Sequence, residues 1–245
     1  MESPFQILLA GKVIGIHAMF AEIREMCRDY LTDADPDFDV STSPEDIISE
    51  RQKSDREAVV EGRKPSSYTD AYLETLAVYR KIAAALLDDN ILLFHGSVIA
   101  VDGVGYLFTA KSGTGKSTHT RLWREQFGSR AMMVNDDKPL LKITEHGVSA
   151  YGTPWDGKHH LSTNTAVPLK AICVLTRGET NHIERANKKD VFPLLCQQSH
   201  RIPTPEAMTR TLTLIDQLSN SVALYRLACN MDPEAAMVAY RGMNP

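Results

Sequence analysis

A chain of 245 residues can bury a sizeable core, either as one large domain or as two small ones. Its 27 basic and 31 acidic residues leave a net charge of −4, which gives no footprint for nucleic acid or an anionic membrane and points to a small or locally complementary partner. Cys27, Cys173, Cys196 and Cys229 are scattered without a CxxC pair and read as buried reduced thiols. That usage, the lack of a bilayer-length apolar run and a non-basic start, Met1-Glu2-Ser3-Pro4, lead us to expect a cytoplasmic protein.

In chain order, the apolar runs 5–9 and 13–16 read as a hairpin across Ala10-Gly11-Lys12, weakened by Gly15, and a helix follows over about 20–30. Residues 31–68 are polar and read as a loop-rich connection holding one short helix, with Ser43 as N-cap and Pro44 first in the helix. Asp33, Asp35, Asp37 and Asp39 resemble the start of a calcium loop, but Phe38 and Pro44 stand where glycine and glutamate are needed, so a solvated acidic turn is expected. Helical spacing of Tyr72, Leu76, Tyr79, Ala83 and Leu86 predicts a helix over 69–88 with one buried face. The pattern divides the chain into 1–65, with no assignable chemistry, and 66–245, which holds the motifs.

Strands are predicted at 91–94 and 97–101, the second turning through Asp102-Gly103-Val104-Gly105 into a third that ends at Thr109. An antiparallel neighbour immediately upstream of Thr109 predicts a mixed sheet rather than an all-parallel one. A helix over 116–127, capped by Gly128, should bury Leu122, Trp123 and Phe127. A strand over 131–134, a hairpin over 139–151, a buried strand over 169–176 and a largely helical remainder follow, with a strand at 222–228.

The strand into Thr109 runs directly into Ala110-Lys111-Ser112-Gly113-Thr114-Gly115-Lys116-Ser117-Thr118, the spacing of a phosphate-binding loop. Glycines let successive N–H groups turn toward an oxyanion, and the following helix aims its positive end at the same phosphates. In this reading residues 112–118 cradle a triphosphate, Lys116 reaches the β and γ phosphates, and Ser117 ligates magnesium. Ala110 departs from the usual first glycine and fits if its backbone angles are ordinary. Asp136 and Asp137 end the next strand, where a second magnesium ligand is needed, and two adjacent carboxylates could divide metal binding from base work. The plainer reading is an Asp-Asp turn that only caps the next segment. His95, followed by Gly96, is on position alone a structural histidine.

Taken together, His95-Gly96, the loop 110–117 and Asn135-Asp136-Asp137 resemble the HPr kinase/phosphorylase family, which shares its fold with the phosphoenolpyruvate carboxykinases. The resemblance covers about 92–157 and implies an α/β fold with a mixed sheet, and a kinase-like domain over 66–245. It implies an ATP- and Mg2+-dependent kinase that moves the γ-phosphoryl group to a serine-like hydroxyl of a protein, peptide or small molecule, with His95 beside the acidic pair. The alternative is a non-catalytic ATP-binding regulatory module. A homo-oligomer is compatible with either. The Pro-Gly-Arg-Asn segment of the bifunctional HPr kinases is missing, which argues against HPr itself as acceptor and against the phosphorolytic back reaction.

Three further features bear on function. Gly152 to His160 offers a tight loop with Trp155 as a flat apolar face and Lys158 for a phosphate, or is a plain surface turn; His159 and His160, as neighbours on a strand, point apart and argue against zinc. Arg201 is a weaker candidate for a transition-state cation. Asn187-Lys188-Lys189-Asp190 matches a guanine-reading box but follows a polar stretch rather than an apolar strand, so Asn187 is expected to cap a helix.

Overall fold

The computed structural model describes residues 3–60, 62 and 64–245, and the chain separates into two compact units, Met1–Ala85 and Leu86–Pro245. The division therefore falls after Ala85 rather than after residue 65. Among the described residues, no helix is long and apolar enough to cross a membrane.

In the first unit, β1 (Phe5–Leu9) and β2 (Lys12–His17) form the expected hairpin, with Ala10 and Gly11 left-handed at φ 53° and 83°. Gly15 is explained by its neighbour: a Cβ there would lie 2.0 Å from Asp39 Oδ1, which is itself 3.0 Å from His17 Nε2. The stretch expected as one helix is α1 (Glu22–Met26) followed by a single 3-10 turn over Arg28–Tyr30. The expected loop contains two strands, β3 (Leu31–Thr32) on β1 and β4 (Phe38–Ser41) parallel to β2, giving the order β3-β1-β2-β4. Asp37 accepts from the Val13 N–H at 2.7 Å, so the acidic residues tie the chain to this sheet rather than merely facing water.

Helix α2 (Pro44–Val60) is much longer than the short helix expected after Ser43. In α3 (Asp70–Leu86) the predicted apolar face is wrong at Tyr72, which is exposed, because Leu73, Ala77, Val78 and Ile82 are buried as well and wrap more than one side. Glu74 on this helix is fully buried. Its carboxylate accepts from Met19 N at 2.7 Å, Phe20 N at 3.0 Å and Thr42 Oγ1 at 2.5 Å, enough donors to replace the water it lost.

The second unit begins with a short turn ending at left-handed Asn90, followed by β5 (Ile91–Leu93), β6 (Ser97–Val101) and β7 (Val104–Thr109). Asp102 and Gly103, at φ 52° and 80°, close the β6–β7 hairpin as predicted. Then come α4 (Lys116–Phe127), β8 (Ala131–Asn135), β9 (Leu140–Thr144), β10 (Gly147–Tyr151) and β11 (Ala166–Arg177). The chain ends with β12 (His182–Arg185), α5 (Lys188–Gln198), α6 (Pro205–Ser221), β13 (Ala223–Cys229) and α7 (Glu234–Met243). A polar strand, β12, thus does precede Asn187, which holds the N-cap position of α5 without a side-chain bond.

The sheet order is β5-β9-β10-β11-β7-β6-β8, with β13 on β11 and β12 on β13. It is mixed, as the hairpin implied: β7 is antiparallel to β6 and parallel to β11. Side chains of period two send Val98, Ala100 and Leu107 into a core with α5 and α6, and Ile99, Val101, Tyr106 and Phe108 into a second core with α4 and α7. With both faces covered, β6 is buried along its whole length. Trp123 of α4 anchors the second core, 5.0 Å from the Tyr106 ring and 5.2 Å from Phe108.

Strand directions decide where the site lies. Because β6 is antiparallel to β7 and β8 antiparallel to β6, the end of β7, the start of β6 and the end of β8 meet at one edge of the sheet. The ends of β11 and β13, both running with β7, reach the same edge.

Candidate functional site

The loop from β7 to α4 leaves the sheet at Ala110, which is buried and packed into the α4 core and is not among the left-handed residues. The departure from glycine at this position is therefore accommodated. Gly113 and Gly115 lie at φ 74° and 121°, and a Cβ at either would have nothing within 4 Å, so conformation and not crowding requires glycine there. Gly115 is the N-cap of α4 and offers no side chain, leaving the first N–H groups of a twelve-residue helix facing the loop. Thr114 closes the loop on itself by donating to the Lys111 carbonyl at 2.8 Å.

Lys116 is half-buried, and burial pushes its ammonium below the usual lysine range, with Asp137 and then Asp136 pulling it back. The acids predicted for metal binding and base work are thus electrostatic neighbours of this lysine. Asp136 is buried, with its carboxylate 3.4 Å from Thr120 Oγ1 and its carbonyl accepting from Ser97 Oγ at 2.9 Å. Thr120 also lies 3.2 Å from the Ser117 carbonyl, so one hydroxyl joins the first turn of α4 to Asp136.

His95 Nε2 is 3.3 Å from Asp137 Oδ1, and Lys138 Nζ is 2.5 Å from Asp137 Oδ2. Burial alone would raise this carboxyl, but the bond from His95 and the charge of Lys138 outweigh it and hold Asp137 well below the usual carboxylate range. The main chain fixes His95 as well: its N–H donates to Gln198 O at 2.7 Å, its carbonyl accepts from Thr109 Oγ1 at 3.1 Å, and Gly96 N donates to Asp137 O at 3.0 Å. A Cβ on Gly96 would meet Phe108 O at 3.0 Å, which explains the glycine.

The turn after β8 is closed by Asn135 and not by the aspartates. Its Oδ1 accepts from Asp137 N at 2.9 Å and Lys138 N at 2.7 Å, and its amide donates to Thr153. With Asn135 as the turn-former, the two carboxylates keep their oxygens for Thr120, His95 and Lys138. That arrangement disfavours the plain-cap reading of the Asp-Asp pair.

The segment 152–160 holds the expected turn, exposed at 157–160 with Gly157 at φ 78°, but differs from expectation at Trp155. Trp155 is buried and offers no exposed face, and Asp156, also buried, accepts from Ser162 N at 3.0 Å and lies 3.1 Å from His160 Nδ1. Residues 157–160 form a turn and not a strand, with His160 left-handed at φ 48°. A Cβ on Gly157 would sit 3.2 Å from Asp137 Cβ, so this turn packs on the acid pair. Lys158 and Arg201 are exposed. Among the described residues no group of three or more His, Cys, Asp or Glu could hold a metal alone; a phosphate-bound magnesium needs only one or two protein oxygens, which Asp136 and Ser117 supply in kind.

Three of the residues that meet here, Lys138, Thr120 and Arg177, lie outside the sequence motifs, and a fourth, Asn135, lies within one without a role read for it. Lys138 adjoins the acid pair, and Asn135 reads in the sequence only as the lead-in to it. Thr120 lies one turn beyond Lys116, a signal that helical spacing could have given. Arg177 Nη2 donates to Gly113 O at 2.7 Å from the end of β11, a contact across 64 residues that no local pattern shows.

Sequence comparison finds no matching protein family and no matching curated protein. Among solved structures, the chain is similar to the HPr(Ser) kinase/phosphatase from Coxiella burnetii at 10% identity and a TM-score of 0.35, over 61% of this chain and 94% of that one.

Proposed function

We propose that the chain is an ATP-dependent kinase that transfers the γ-phosphoryl group to a serine-like hydroxyl of a protein, peptide or small molecule. The observation that carries the reading is the meeting, at one sheet edge, of the glycine-rich loop, Lys116, the His95–Asp137 pair and Asp136. The loop N–H groups and the α4 terminus hold the phosphates, and Lys116 takes the charge of the β and γ oxygens. Magnesium, when bound, neutralises the phosphate oxygens; Ser117 and Asp136 are the residues that would hold it.

Asp137 is kept ionised by His95 and Lys138, which makes it a weak proton acceptor near neutrality. In our assignment it orients His95 by accepting from Nε2–H, leaving Nδ1 to receive the proton. The acceptor oxygen attacks the γ phosphorus, its proton passes to His95 Nδ1, and the bond to the β-phosphate oxygen breaks to release ADP.

The test is transfer of label from γ-labelled ATP, with magnesium, to hydroxyl acceptors encoded beside this gene. Lys116→Ala and Asp136→Ala should abolish transfer. Normal transfer by both variants would refute the assignment, and tight Lys116-dependent binding without transfer would replace it with a regulatory ATP-binding module.

A further inference from the structure

Strand β7 has two flanks. On one, β6 and β8 bring His95, Asp136 and Asp137 to the loop; on the other, β11 and β13 end at Arg177 and Cys229. Between those two strand ends and the loop lies a cleft of about 500 Å³, walled by His119, Leu175, Arg177, Cys229, Asn230 and Met231 together with Gly113 to Gly115. That volume is in the range of small-molecule sites, about 300–1,000 Å³. We propose that this cleft holds the base and ribose of the nucleotide whose phosphates lie in the loop, and that it reads the base by apolar and stacking contact. The proposal rests on the nucleotide reading above.

Several independent features agree. Met231 is 76% exposed, a large apolar side chain at the cleft with little to cover it, and Leu175 supplies an apolar floor. The guanidinium of Arg177, pinned to Gly113 O, sets a flat cation where loop and cleft join, a group suited to lie over an aromatic ring. His119 is buried in the wall. Its Nε2 accepts from Trp123 Nε1–H at 3.0 Å, so the neutral ring carries its proton on Nδ1, and Nδ1 has no partner among the described residues.

Apart from Thr118, the other polar side chains of the wall are already committed. Thr114 donates to Lys111 O, and the Asn230 amide donates to Glu179 O at 3.0 Å and Asp232 Oδ2 at 2.7 Å. Such a wall leaves few side chains with which to tell one purine from another, since strong discrimination needs several dedicated hydrogen bonds.

Calorimetry of the full chain with Mg-ATP, Mg-GTP and Mg-tripolyphosphate tests this. ATP and GTP should bind within about tenfold of each other, and each about tenfold or more tighter than tripolyphosphate. Met231→Ala should weaken both nucleotides about three- to tenfold and leave tripolyphosphate unchanged. ATP should also protect Cys229 from maleimide, read by mass spectrometry with Cys196 as internal control, while tripolyphosphate should not. Tripolyphosphate binding as tightly as ATP, or Met231→Ala affecting all three alike, would overturn the cleft while leaving the loop assignment intact. If Lys116→Ala weakened none of the three ligands, the nucleotide reading itself would fall, and this inference with it.

Discussion

Replacing Gly152 by alanine probes how the fold positions the acid pair. A Cβ at Gly152 would lie 1.9 Å from the Thr163 carbonyl oxygen and 2.7 Å from the Val134 carbonyl oxygen. Carbon and oxygen sit comfortably at about 3.3 Å, so the main chain would have to part by more than about 1 Å. Neither neighbour is free to do so: Thr163 N donates to Val134 O at 3.3 Å, and Gly152 N donates to Thr165 O at 3.0 Å. Overpacking of about 1–3 kcal/mol, with these two bonds weakened by about 1 kcal/mol each, predicts a loss of about 3–5 kcal/mol. Because Val134 directly precedes Asn135 and Asp136, the shift reaches the carboxylates, and on the proposed kinase reading a displacement of about 1 Å costs on the order of a hundredfold in transfer rate. Urea unfolding followed by circular dichroism gives the first quantity and labelled-ATP transfer the second. Gly157→Ala is the comparison: its nearest contact is a side-chain carbon at 3.2 Å, so its cost is the left-handed strain at φ 78°, about 1–2 kcal/mol. Gly152→Ala no less stable than Gly157→Ala would show that the wedge between Thr163 and Val134 does not hold β8 in place.

Thr120→Val removes the hydroxyl between Ser117 and Asp136; it should cost about 1 kcal/mol in stability and, on the proposed kinase reading, raise the magnesium needed for half-maximal transfer several-fold, measured by metal titration. Burial pushes the His119 imidazole down to about 4, whereas an unfolded histidine takes its proton near 6.5. In that window the unfolded chain binds more protons, so stability is full above about 6.5 and falls as pH drops toward about 4, by up to about 3 kcal/mol. His119→Gln should flatten this part of the acid limb in denaturation curves, and an unchanged slope would count against the buried neutral ring. In the first unit, Glu74→Ala strands three donors and should cost about 2–4 kcal/mol by thermal or urea unfolding.

What could be read in advance follows from the range of the forces involved. The β6–β7 hairpin is written in the local backbone demands of Asp102-Gly103 and emerges as expected, and in the loop after β7 Gly113 and Gly115 take the positive φ that favours glycine. Helix α3 misled because its burial comes from contacts on several sides, so a single-face pattern cannot describe it. Strands β3 and β4 were hidden by polar residues such as Asp37, whose carboxylate serves a main-chain donor 24 positions away. Trp155 looked like a surface platform because nothing in its neighbourhood announces that the segment tucks inward. Arg177 and Thr120 gain meaning only through partners brought in by the sheet and by α4.

The position of β7 between two flanks has a consequence for how specificity can change. On the proposed reading, contacts to the nucleoside hang from β11 and β13, whereas contacts near the transferred phosphoryl group hang from β6, β8 and the turns that follow β8 and β10. The two sets share only the loop and the first turn of α4. Descendants of this chain could therefore exchange one acceptor for another by rewriting surface turns such as 157–160, with the nucleoside end untouched. An engineer could graft new acceptor turns onto the same sheet under the same rule.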